Sequence, residues 1–130
     1  MDHPYQQAIR SLTARLDLPP ISPTSQSWEA EVANADALPA YQAAYESGGL
    51  TEMEKKVLVR VILESLEQAA KKSIVVADEL LRRLSSLIQA DYHLHHDALL
   101  LWALPEVDLD AQENVYRITS FVREIMRHGG

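Results

Sequence analysis

Cysteine is missing from this 130-residue chain, and disulfides, thiolate metal sites, thiol nucleophiles and iron–sulfur clusters are excluded with it. Glycine is scarce: the four present form neither a phosphate loop nor a dinucleotide fingerprint, so a conventional nucleotide site is not expected. Aromatic residues make up 6% of the chain, which leaves the core to Leu, Val, Ile and Ala and favours helices over sheets. The longest apolar run, Ala98 to Leu104, has seven residues, well short of the roughly twenty that span a bilayer. The N-terminal residues show no basic segment leading into an apolar run, so a secretory signal is not expected. No Gly-x-Ser-x-Gly elbow occurs and no triad can be assembled, so no catalytic residues are assigned.

Cations are also missing, in a pattern. All twelve Lys and Arg residues avoid Leu16 to Glu54 and Leu84 to Tyr116, and these two stretches hold thirteen of the nineteen carboxylates. Acids without interleaved cations make a surface of one sign, which repels phosphate and attracts Lys- or Arg-rich partners. The net charge of −7 weighs against nucleic-acid binding, for which Lys71-Lys72 and Arg82-Arg83 are the only basic material. Two acidic patches stand out as candidate partner-binding residues: Glu29, Glu31 and Asp36 in the first stretch, and Glu106, Asp108 and Asp110 in the second. Trp28, set among Ser27, Glu29 and Glu31, is a candidate anchor beside the first patch.

A chain of this length forms one domain, residues 1–130, and buries roughly two-thirds of its unfolded surface. The apolar spacing predicts an all-α bundle of five to seven helices. Tyr5, Ala8, Ile9, Leu12 and Leu16 recur on one helical face until Pro19-Pro20. Residues 18–27, rich in Pro and Ser, read as a connector. Ser27 is placed to cap a helix through Trp28, Val32 and Ala35. A further turn from Pro39 presents Tyr41, Ala44 and Tyr45 before Gly48-Gly49.

Thr51-x-x-Glu54 has the form of a capping box and opens the strongest helix, apolar over most of its circumference, with Lys56, Arg60, Glu64 and Glu67 on the remaining strip. Ser73 is placed to cap a helix whose stripe is Ala77, Leu80, Leu81, Leu84, Leu87 and Ile88; these two helices are expected to form the central pair. Asp91 caps the next helix, which Pro105 ends. The last helix begins either at Asp110 or at Thr119.

His93, His96 and Asp97 share helical spacing that a divalent metal could exploit, but no fourth ligand is specified, and first-turn histidines in solvent are the plainer expectation. Glu64 and Glu67 lack the Glu-x-x-His partners of a carboxylate metal site, so they read as a solvated face. No metal and no cofactor are therefore expected. Trp102, set among leucines, reads as core.

Leu50-Thr51-x-x-Glu54-Lys55 opening an apolar helix, Leu94-His95 followed by Trp102, then Arg117-Ile118-Thr119 and Arg123, form a pattern over about the last eighty residues. The pattern resembles small all-helical bacterial immunity proteins of polymorphic toxin systems. The resemblance implies a cytoplasmic protein that binds and neutralises a cognate toxin domain, and it assigns no contact residues. An acidic inhibitor would suit a basic toxin. Two other classes remain open at this point: a non-catalytic helical adaptor or regulatory domain acting as an oligomer, and an enzyme or metal-binding bundle.

Overall fold

The computed structural model describes residues 4–16, 32–103 and 118–129, and among these every regular element is helical. In chain order they are α1 (Pro4–Leu16), a 3₁₀ turn (Ala35–Ala37), α2 (Leu38–Glu46), α3 (Glu52–Lys71), α4 (Asp78–Ala90), α5 (Tyr92–Ala103) and α6 (Thr119–Gly129). The chain is thus an all-α bundle. Trp28, Glu29, Glu31, Glu106, Asp108 and Asp110 lie outside the described residues, as do Ser27, Pro105, the 18–27 connector and the alternative helix start at Asp110.

α3 is the axis of the bundle. Its start is fixed by the capping box: the Glu54 amide donates to Thr51 Oγ1 at 3.1 Å and the Thr51 amide to Glu54 Oε1 at 3.2 Å. Val57, Leu58, Val59, Val61, Ile62, Leu63 and Leu66 are then all buried. A helix apolar on nearly every side must be surrounded, and α1, α2 and α5 pack around it. α1 contributes Ala8, Ile9 and Leu12, the stripe expected from spacing. α2 ends at Gly48, whose φ of +80° needs a glycine.

The expected central pair is not formed. α4 packs on α6, α2 and α5 and has no substantial contact with α3. It buries only Leu84 and Ile88 completely. The width of an apolar face says how much of a helix is buried, but not against which neighbour.

At the junction Ser73 has a different role from the expected cap of α4. Ser73 adopts φ +55°. The Ile74 amide donates to the Ala69 carbonyl at 2.8 Å and the Ser73 amide to the Ala70 carbonyl at 3.3 Å. These bonds make a Schellman motif that terminates α3, with Ser73 in the left-handed position that glycine prefers. α4 then starts at Asp78 after Ala77, without a side-chain cap. Ser73→Gly is therefore expected to stabilise the fold by roughly 0.5–1 kcal/mol in chemical denaturation. A loss of stability would contradict the left-handed assignment.

The chain just before α2 follows a different course from the helix expected after Ser27. Residues 32–34 are non-helical and Ala35 enters a 3₁₀ turn capped by Asn34. Side chains of α3 hold this segment in place. Ser65 Oγ accepts the Asn34 amide at 3.0 Å, and Gln68 accepts from the Ala35 amide at 3.1 Å while donating to the Ala33 carbonyl at 3.1 Å. Backbone groups that would otherwise compete for a helix are thereby satisfied.

Candidate functional site

The chemistry-bearing residues that the fold gathers are Tyr45, Lys55, Asp91 and His95. The helix-ending glycine places Tyr45 in the last turn of α2, Lys55 follows the capping box of α3, and Asp91 is the junction between α4 and α5. His95 lies one turn further along α5, only 1% exposed. The Tyr45 hydroxyl is 2.7 Å from both Asp91 Oδ2 and His95 Nε2. Lys55 Nζ stands 3.3 Å from the same Asp91 oxygen and 5.5 Å from the Tyr45 ring centroid.

Proton counting assigns the tautomer. Tyr45 has one hydroxyl hydrogen and gives it to the Asp91 carboxylate, so His95 Nε2 must carry the hydrogen that it donates to the Tyr45 oxygen. Nδ1 is then a bare acceptor, buried and without a hydrogen-bond partner among the described residues. Burial lowers the imidazole pKa to about 4 from 6.5. Asp91 opposes that shift, while Lys55, His93 and Lys56 add to it. The Tyr45 hydrogen bond holds the Asp91 carboxyl below its ordinary range, against its own desolvation and with help from Lys55. Burial, and then the neighbouring Asp91, push the Tyr45 phenol upward. A neutral imidazole, a neutral phenol, a carboxylate and an ammonium therefore lock α2, α3 and α5 together.

This constellation has the residue types of an acid–base site. Tyr45 and His95 are buried in this conformation, while the Lys55 and Asp91 side chains are partly exposed. Its bonded pairs join residues 36 to 50 apart, and the one local spacing among its members is that of Asp91 and His95, four apart.

Two other acids hold joints. Glu54 accepts the Ser11 hydroxyl at 2.8 Å with Arg15 at 3.8 Å, which ties α1 to α3. Burial alone would raise its pKa, but the bonds from Ser11 and Thr51 and the Arg15 charge outweigh this and hold it low. Glu67 corrects the expectation of a solvated Glu64–Glu67 face: it is 4% exposed and accepts the Ile118 amide at 3.0 Å, at the start of α6. An amide 51 residues away explains why this carboxylate is buried.

Of the candidate partner-binding acids, Asp36 is described. It is exposed in the 3₁₀ turn held against α3. In the Lys/Arg-free stretches, Glu54 and Asp91 are paired with Arg15 and Lys55, so separation in sequence does not always persist in space. Asp36, Glu46 and Glu52 are exposed, and none has a Lys or Arg partner among the described residues.

His93, His96 and Asp97 are exposed, as expected of solvated groups, but His95 between them is core. His96 meets the Tyr92 ring edge-on at 5.6 Å, and the described residues contain no cluster of three or more metal-ligating side chains. Trp102 is buried, as expected.

Five positions that carry the resemblance serve the bundle itself: Thr51 and Glu54 cap α3, Lys55 and His95 join the buried network, and Arg123 Nε donates to the Ala103 carbonyl at 2.7 Å at the end of α5. Among the described residues, no helix is long and apolar enough to cross a membrane. The chain matches no family model, no curated protein and no solved structure.

Proposed function

We propose that this bundle works by binding, as a cytoplasmic immunity-like protein that neutralises a cognate toxin domain by covering a basic surface, without cofactor or catalysis. One observation carries the proposal. Thirteen of nineteen carboxylates fall in two stretches that hold no Lys or Arg. Asp36, Glu46 and Glu52, in the first of these, are solvent-facing without a cationic partner among the described residues.

Acids placed only for solubility would be expected to mingle with the cations, and a surface of one sign instead accelerates encounter with an opposite one. The burial of the Tyr45–His95 pair supports a binding protein over an enzyme. The resemblance to immunity proteins supports the nature of the partner.

The test is co-expression with the product of the neighbouring reading frame, because an immunity gene normally sits beside its toxin gene. The expected outcome is growth protection together with co-purification of the two proteins at low salt. Failure of both with a folded, expressed protein would contradict the proposal.

A further inference from the structure

Beyond that partner, the outer face of α4 combines an apolar cleft with an ordered row of charges. Two adjoining clefts, of about 490 and 240 Å³, border α4 and α6, the smaller one also lined by Leu66, Ala69 and Ala70 of α3. They share Leu81 and Phe121. At one end the connector before α4 exposes Val75 at 92% and Ile74 at 40%, among the largest apolar exposures in the described residues. The apolar strip from Val75 and Ile74 to Leu81 and Phe121 is edged by Asp78, Arg82 and Glu124.

The charges on α4 are ordered along its axis. The first turn carries Asp78 and Glu79, and the next carries Arg82 and Arg83. Glu79 and Arg83 satisfy each other at 2.8 Å. Asp78 and Arg82, which face the cleft, have no ion-pair partner among the described residues.

A helix with acids in one turn and bases in the next is complementary to an antiparallel copy of itself, because a two-fold axis sets residue i against j and j against i. A parallel arrangement would oppose like charges.

We propose that this face mediates a symmetric dimer, in which α4 crosses its copy antiparallel, Asp78 of each chain meets Arg82 of the other, and Val75 and Ile74 cover the copy's α4–α6 cleft. α4 is about 20 Å long, so the contact falls near or below about 1,200 Å² in total, the size of a transient interface. The dimer dissociates in the micromolar range and weakens with salt.

Sedimentation velocity over a concentration series at low salt tests this directly. The wild-type mass should rise from 14.6 kDa toward twice that value. Asp78→Arg and Arg82→Asp, made singly, each turn two attractive contacts into repulsive ones and should weaken dimerisation at least about tenfold. The double variant reverses both charges together and should recover near wild-type dimerisation. Val75→Asp should abolish it, and circular dichroism must show each variant folded.

A wild-type monomer at every concentration overturns the proposal and leaves the cleft to a different partner. Single reversals that dimerise like wild type, or a folded double variant that stays monomeric, overturn it equally.

Discussion

Leu63→Ala is expected to lower the free energy of unfolding by about 2–5 kcal/mol, with the midpoint of urea denaturation falling accordingly. Leu63 is fully buried on α3, the helix that α1, α2 and α5 enclose. Deleting its branched end removes transfer free energy and leaves a cavity that helices held by side-chain joints cannot easily close. Leu84→Ala, equally buried on α4, is expected to fall in the same range. Losses below about 0.5 kcal/mol at both sites, the range typical of surface positions, would show that neither helix faces the core as described.

Acid should destabilise the fold well before the carboxylates titrate. His95 is neutral in the folded protein with a pKa lowered to about 4, against 6.5 when unfolded. Below pH 6.5 the unfolded chain therefore binds a proton that the folded chain refuses, and stability falls as pH drops toward 4. The shift corresponds to roughly 3 kcal/mol in that window. Asp91 and Glu54, both held low, add their own losses at still lower pH. The Gln side chain in His95→Gln has an amide that can donate to Tyr45 but does not titrate, so this variant should flatten the slope between pH 6.5 and 4. Denaturation midpoints over that range check it, and parallel slopes for variant and wild type would contradict the buried neutral imidazole.

Local signals in the sequence led to the right elements where one short segment decided the outcome. The Thr51–Glu54 pair, the apolar stripe of Ala8, Ile9 and Leu12, and Gly48 at the end of α2 each act within a turn or two. The start of α6 at Thr119 matches one of the two positions weighed from sequence. Ser73 departs from its expected role because serine suits a helix start, whereas its left-handed backbone, which ends the preceding helix, leaves no mark on composition.

Long-range pairing was the least legible. Glu67 reads from sequence as a solvated acid because its partner amide, that of Ile118, lies 51 residues away, just before another helix. His95 sat between two exposed histidines, and only the arrival of Tyr45 and Asp91 makes its burial tolerable. Of the acidic candidate site, Asp36 is placed in the open; Glu54 and Asp91, which belong to the same Lys/Arg-free stretches but not to that site, are drawn into ion pairs across the fold.

The proposal of an acidic toxin-binding surface is tested most directly by the rate at which the toxin domain associates with charge-reversed protein at two ionic strengths. Glu29→Lys, Glu31→Lys and Asp36→Lys combined, and Glu106→Lys, Asp108→Lys and Asp110→Lys combined, are predicted to slow association and flatten its salt dependence with the unbound fold retained. Trp28→Ala should instead speed dissociation. Unchanged association rates and salt slopes for both reversed patches would contradict the account and send the search for the interface to the Lys71-Lys72 and Arg82-Arg83 side.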